Sequence, residues 1–342
     1  MKQPLYFGTY TRRISQGIYK AIFSSDSGAI ENTKLFIKEG SPTYLTWSEN
    51  FIFSISNREN MGGISSYNLN GELLCQQLET GPAPCHITYD SQRQLIYTAN
   101  YHTSQIKVYH VNQEGHLSLA WTENLSGNGP HPNQDKSHPH CVLLSPDRYL
   151  FVCDLGSDRI LSYFIDSKGQ LSLNTHYQAR PGSGPRHLLF HPSHKLAYLV
   201  CELDSSVDVL IYNGVGYLEY DKTISTIPDS FTEHNAASAL KISQNQQFLY
   251  VSNRGHNSIT CFKIELEGSI ELVGIYPSHG YTPRDFCISP DDKYLVVSHQ
   301  DSDNISIFKR DTNTGHLTLV SQDHIVPESV FVDFEQNTLD FS

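Results

Sequence analysis

Methionine and tryptophan are scarce in this chain, at two each in 342 residues, and Asp, Glu, Lys and Arg together make up only 18%. An average soluble domain carries about 25% charged residues, so this composition argues against a coiled coil, a disordered tail or a helix-rich fold. No run of ~18 apolar residues occurs, which excludes a membrane-spanning helix on hydropathy. There is no basic stretch either: 24 Lys and Arg face 36 Asp and Glu, a formal charge of −12, which speaks against nucleic acid as a partner. The seven cysteines, Cys75, Cys85, Cys141, Cys153, Cys201, Cys261 and Cys287, show no C-x-x-C spacing. Most lie in apolar runs such as Leu150-Phe151-Val152-Cys153, and they are expected to be reduced core thiols. The opening Met1-Lys2-Gln3-Pro4-Leu5-Tyr6-Phe7-Gly8 lacks the apolar core and small-residue cleavage site of a secretory signal, so a soluble, cytoplasmic protein with no membrane partner is expected. No Walker loop, Gly-x-Ser-x-Gly elbow or Cys-His nucleophile arrangement is present.

Aromatic residues and histidine are plentiful by contrast, with 20 Tyr, 16 Phe and 17 His. Seven histidines fall between positions 131 and 194: His131, His138, His140, His176, His187, His191 and His194. The chain also repeats itself. A short strand opened by a Gly/Pro turn runs into a Ser/His-Pro turn, then into a second apolar strand ending in a polar residue. Three copies show this best: Gly184-Pro185-Arg186-His187 through Cys201-Glu202, His138-Pro139-His140-Cys141 through Cys153-Asp154, and Pro283-Arg284-Asp285 through Ser298-His299. The second strands end at Thr9, Asn57, Asn100, Asp154, Glu202, Asn253 and His299, a spacing of about 48 residues. A third strand follows, as in Ile160-Leu161-Ser162-Tyr163, and a fourth after Gly-x-Leu, as in Gly169-Gln170-Leu171.

Four strands in each of seven units predict an all-β, seven-bladed β-propeller of four-stranded antiparallel blades, one domain over residues 1–342. A two-domain β-sandwich has similar strand density but does not produce a shared column of strand ends. Since the N-terminal copy begins at its second strand, Ser329-Val330-Phe331-Val332-Asp333-Phe334 is expected to supply the missing innermost strand, so that N- and C-terminal segments share one blade and close the ring.

In such a blade the start of the first strand and the end of the second share one rim. The sequence columns therefore become rings in space. Thr43, Cys85, His140, Arg186, Ser238 and Arg284 form one, with His86 and His187 one step later; Asn57, Asn100, Asp154, Glu202, Asn253-Arg254 and His299 form the other. Cations, an imidazole and a carboxylate converging on an acidic protein suit a small anionic substrate. Two plainer readings stand beside this one: a rim that is polar because it faces water, and structural ion pairs of Arg186 and Arg254 with Glu202 or Asp154. His138-Pro139-His140 has H-x-H spacing, and with His187 could offer three zinc ligands; a histidine pair that faces substrate or is satisfied by its own hydrogen bonds, with no metal and no cofactor, is the preferred reading. The segment Ser126–Lys136 stretches one repeat from 48 to 54 residues and reads either as a lid or as a tolerated surface loop.

At these residues the sequence resembles the lactonase family of seven-bladed propellers, which includes 6-phosphogluconolactonases of the propeller type and 3-carboxy-cis,cis-muconate lactonizing enzymes. The resemblance runs from Gly8-Thr9-Tyr10-Thr11 and Gly17-Ile18-Tyr19 through Ser137-His138-Pro139-His140 and Asp154-Leu155-Gly156-Ser157-Asp158-Arg159. It continues through Gly184-Pro185-Arg186-His187 and Glu202-Leu203 to Val251-Ser252-Asn253-Arg254-Gly255. It implies catalytic roles for His140, Arg186, Glu202 and Arg254, residues that the rim columns also select; His138, His187, Arg284 and His299, read from the columns and the H-x-H spacing, are expected to bind substrate. The chain departs from the family at Asn133-Gln134, where relatives often carry Arg-Gln, and at Ser238-Ala239-Leu240-Lys241, which lacks the Gly-x-Pro opening. The implied activity is hydrolysis of a sugar-acid lactone, foremost 6-phosphoglucono-δ-lactone in the pentose phosphate pathway, with His140 or Glu202 as base, Arg186 on the oxyanion, and Arg254 with Arg284 on the phosphate or carboxylate. The alternatives are a muconate-type lactonizing enzyme and a non-catalytic scaffold; against the scaffold, the repeats lack Trp-Asp and Gly-His signatures.

Overall fold

The computed structural model describes residues 2–335. The single-domain expectation extends to Met1 and to residues 336–342, which lie outside the described residues. Within them the chain forms seven four-stranded antiparallel sheets arranged as the blades of a propeller. Numbered in chain order, blade 1 joins Ser329–Phe334 to Lys2–Thr9, Gly17–Ser24 and Ala29–Lys38. The innermost strands of blades 2 to 7 are Leu45–Trp47, His86–Asp90, Pro139–Leu144, Pro185–Phe190, Ala236–Ile242 and Pro283–Ile288. The only helical element among the described residues is a 3-10 turn, Leu155–Ser157. No helix is long and apolar enough to cross a membrane.

The core is distributed between blades. Seven apolar clusters form, each drawing on two adjacent blades, so that every blade is packed on both faces. This explains why second strands such as Leu95–Asn100, Leu196–Cys201 and Tyr294–His299 are buried at every position, while outermost strands such as Leu117–Asn124 are largely open to water. A sheet sandwiched on both sides favours near-continuous apolar strands, with polar residues such as Asn100 and His299 at strand ends, while the outer strand carries water-facing positions.

The ring closes as the repeat phase predicts. Ser329–Phe334 runs antiparallel to Lys2–Thr9, with Leu5 opposite Phe334 and Phe7 opposite Val332. A carboxylate fastens the closure: buried Glu328 accepts the backbone N–H groups of Arg12, Arg13, Ile14 and Ser15 at 2.9–3.0 Å. Burial alone would raise the Glu328 carboxyl, but these donors outweigh it and hold the group below the usual carboxylate range.

Candidate active site

Three innermost strands begin with proline, and in each the residue after it is bulged out of the ladder. In blade 4, Pro139 pairs with Asp154 and Cys141 with Cys153, leaving His140 as the extra residue. In blade 5, Pro185 and His187 pair with Cys201 and Val200, leaving Arg186. In blade 7, Pro283 and Asp285 pair with His299 and Ser298, leaving Arg284. Blade 1 has the same irregularity at Val330. A bulge re-aims a side chain that a regular pleat would send toward a neighbouring blade, and proline at the first position sacrifices no ladder bond.

The re-aimed residues meet at one mouth of the channel. A cavity of about 270 Å³ is lined by Thr43, Cys85, His140, Arg186, Arg284 and Val330. Five of these come from the column read in the sequence, and Val330 is its blade 1 counterpart. Ser238, the sixth column residue, lies beside the cavity and offers its carbonyl to Arg186 Nη1 at 3.0 Å. Tyr10, Arg12, Ser41, Tyr44, Asn57, His102, His187 and Asp285 complete the polar lining. Further along the innermost strands, a more apolar cavity of about 260 Å³ begins, with Tyr44 and His187 lining both.

Arg186 is almost wholly buried, at 2% exposure. Its Nε donates to Glu202 Oε2 at 2.9 Å, and Arg254 Nη2 stands 2.7 Å from the same oxygen. Burial, then the charge of Arg254, pushes Arg186 down to about 9 against the pull of Glu202, so it keeps its proton at neutral pH. For Glu202, burial works upward, but Arg254 and Arg186 prevail and hold it below the usual range. The Arg254 Nε and Nη2 also donate to the carbonyls of Ala236 and Ala237 at 3.2 Å, which fixes the clamp to blade 6. Glu202 and Arg254 thus hold Arg186 from behind the cavity lining, and the ion pair falls on Glu202, not on Asp154.

His140 and His187 sit with ring centroids 5.3 Å apart, and His187 is again 5.3 Å from His86. Burial, reinforced by Arg186, keeps both His140 and His187 well below the usual histidine range; they are neutral imidazoles. His187 Nε2 faces Arg186 Nη1 at 3.2 Å and so is the acceptor, whereas His140 Nδ1 has no hydrogen-bond partner among the described residues. Arg284 Nη1 reaches Gln300 Oε1 at 3.5 Å, and its guanidinium and that of Arg12 lie 5.8 Å and 3.8 Å from the Tyr10 ring centre.

Two residues expected at the site are placed elsewhere. His138 does not line the cavity: it stacks on Tyr101 at 4.1 Å, its Nδ1 meets the Tyr101 carbonyl and its Nε2 the Asp135 carboxylate, both at 2.8 Å. With both nitrogens engaged, His138 cannot join His140 and His187 as a metal ligand. No group of three or more His, Cys, Asp or Glu among the described residues is placed to hold a metal ion. His299 is fully buried behind Gly280, with Nδ1 on the Asn304 carbonyl, and burial lowers it to about 4.

The inserted segment is tied down. Gln134, 1% exposed, donates from Nε2 to the Leu155 carbonyl and to Asp158 Oδ1 and accepts from His131 N, pinning the loop to the turn of blade 4. Asp154, read as a strand end and a possible ion-pair partner, and Asp158, read only as part of a family motif, are both braces: Asp154 takes His138 N and Ser137 Oγ, and Asp158 takes Gly182 N and Gly184 N. Sequence reasoning missed Arg12, Tyr10 and Asp285. Asp285 stands one step after Arg284, where the same column reasoning singled out His86 and His187. Arg12 lies in a long loop outside the repeat and carried no comparable signal.

Residues 4–334 match the family described as lactonase, 7-bladed beta-propeller. The chain is 37% identical over 340 residues to the 6-phosphogluconolactonase of Bacillus subtilis, which covers 96% of this chain and 97% of that one. Its structure matches a crystal structure of a Lactobacillus plantarum protein with a TM-score of 0.96 at 37% identity, covering 98% of this chain and 100% of the other. It matches the periplasmic gluconolactonase of Pseudomonas aeruginosa with a TM-score of 0.92 at 27% identity, covering 98% and 99%. The chain belongs to the lactonase family of seven-bladed β-propellers.

Proposed function

We propose that this protein hydrolyses 6-phosphoglucono-δ-lactone to 6-phosphogluconate, a step of the pentose phosphate pathway, at the cavity of the channel mouth. The observation that carries the reading is the lining itself: three guanidiniums, Arg12, Arg186 and Arg284, face a pocket of about 270 Å³ in a chain whose net charge is −12. Guanidiniums gathered at one pocket of an acidic molecule favour a small anion there. The activity named for the Bacillus subtilis relative points the same way.

Lactone hydrolysis needs a held carbonyl oxygen and an activated water, and supplies its own electrophile, so no cofactor enters the reaction. Arg186 is suited to the oxyanion: it is desolvated, charged, and fixed by Glu202 and by the Ser238 carbonyl before substrate arrives. Arg12 and Arg284 are suited to the phosphate, where a planar guanidinium can donate two parallel hydrogen bonds. His140, neutral and with an unpaired nitrogen, is suited to the substrate hydroxyls, and His187 steadies Arg186. Arg254 and Glu202 act through Arg186.

The test is the decay of freshly prepared 6-phosphoglucono-δ-lactone with the spontaneous rate subtracted. Wild type should accelerate it, Arg186→Ala should lose about 10²–10³-fold in kcat, and His140→Ala should lose less. Chelator should leave the rate unchanged. Lactone decay that enzyme does not alter sinks the proposal, and conversion of a carboxymuconate in its place would move the protein to the lactonizing branch of the family.

A further inference from the structure

Hydrolysis at this cavity requires a base, and the two groups singled out by sequence are poorly suited. Glu202 gives Oε2 to two guanidiniums and lies behind the lining residues. His140 is ringed by Arg186, Arg284 and Arg254, which disfavour taking up a proton. A third group remains. Asp285 is the one carboxylate among the described residues that line the cavity, and it shares that lining with Arg186, Arg284 and His140.

We infer that Asp285 is the general base that takes the proton from the hydrolytic water, an inference that rests on the hydrolase reading above. The geometry separates it from Glu202. Among the described residues no Lys or Arg nitrogen comes within 4 Å of its carboxylate, and the hydrogen bond on Oδ2 comes from a backbone group, Val332 N at 3.2 Å. It is therefore anchored without a direct ion pair. The adjacent bulge explains its placement: with Arg284 turned out of the ladder, Asp285 resumes pairing opposite Ser298, one step deeper in the channel than the guanidinium on its own strand. A water between the two would touch a base on one side while the lactone carbonyl meets Arg186 on the other.

The charged and titratable groups facing Asp285 come from four blades. They are Arg284 on its own strand, Lys241 from blade 6, Asp333 from blade 1 and Tyr44 from blade 2. Burial dominates over the partial compensation by Lys241, and the Asp285 carboxyl is raised to about 6. A base in that range is ionised at neutral pH yet still accepts a proton as the transition state forms. The step balances without a co-reactant. The water oxygen bonds to the lactone carbonyl carbon as its proton passes to Asp285, and the carbonyl pair moves onto the oxygen held by Arg186. When the tetrahedral centre collapses, the bond to the ring oxygen breaks and Asp285 returns the proton to that leaving oxygen, giving the open hydroxy acid.

The experiment is a kcat profile from pH 4.5 to 8 on 6-phosphoglucono-δ-lactone, alongside calorimetric binding of 6-phosphogluconate. Wild-type kcat should fall about tenfold per pH unit below about 6. Asp285→Asn should lose about 10²–10⁴-fold in kcat, keep KM and product affinity close to wild type, and lose that acidic limb. Glu202→Gln should keep the limb while weakening the Arg186 clamp. Asp285→Asn with kcat within about threefold of wild type overturns the inference, as does a limb that disappears in Glu202→Gln instead. Should the Asn variant fail to fold, wild type still decides: a kcat flat from pH 7 to 5 removes Asp285 as base. A wild type that leaves lactone decay unchanged removes the hydrolase reading and this inference with it, whereas an active wild type beside an equally active Asp285→Asn removes this inference alone.

Discussion

Arg186 has given up nearly all its water, and the cost is offset by Glu202, by the Ser238 carbonyl and by a neutral His187. Such a cation is already arranged for an oxyanion, which is where electrostatic stabilisation gains most. Arg12 differs: it is exposed, stacked on Tyr10, and suited to meeting substrate in the ground state. Arg12→Ala should accordingly raise KM by about tenfold or more with kcat little changed, as steady-state kinetics would show. Asp285 carries a stability signature independent of catalysis. Its carboxyl rises from 3.8 to about 6 on folding, so the folded state binds the proton more tightly than the unfolded one. Stability is unaffected below the unfolded value and declines as pH rises through about 4 to 6, by a total of about 3 kcal/mol. Asp285→Asn should therefore melt higher than wild type at pH 8, with the advantage shrinking toward pH 4 in thermal denaturation. A functional group that weakens the fold at working pH is common where chemistry needs a perturbed base.

At the scale of elements, the innermost strands do two jobs with one short sequence. Their apolar residues fill the clusters between blades, while the bulge after proline turns His140, Arg186 and Arg284 to the channel mouth. The Pro139-His140, Pro185-Arg186 and Pro283-Arg284 pairs made these positions legible in sequence, because proline marks where the ladder starts. The bulge was not legible, since a one-residue register shift depends on how the second strand meets the first. The inserted loop was equally opaque: what holds it is the side chain of Gln134 reaching Leu155 and Asp158, a contact across 20 residues or more. Glu328 is the clearest hidden element. One carboxylate collects four N–H groups from residues 12–15 and so fixes the segment that carries Arg12. Glu328→Ala should cost about 2 kcal/mol by denaturant titration and raise KM through the loosened Arg12. The Glu328 contribution should be present above its unfolded value near 4.5 and lost as pH falls through its depressed folded value.

For the whole molecule, closure decides whether the seven blades act as one body. Each cluster joins two neighbours, so blade 1 packs correctly only if Ser329–Phe334 completes it between blades 7 and 2. A chain stopped at Glu328 leaves the Lys2–Thr9 strand with an open edge and exposes Val332 and Phe334 partners such as Leu5, Phe7 and Phe23. Such a variant should aggregate on expression, or elute at high mass in size-exclusion chromatography. By itself the sequence determined the repeat count, the four-stranded unit, the shared blade and the column holding His140, Arg186 and Arg284, because spacing and apolar runs are local properties that recur every ~48 residues. Only the tertiary structure could show that His138 and His299 turn away from the cavity, that Glu202 belongs to a two-arginine clamp, and that Arg12 and Asp285 join the lining. Those outcomes depend on which groups from separate blades come to share a few ångströms of desolvated space, and such proximity has no period in the chain.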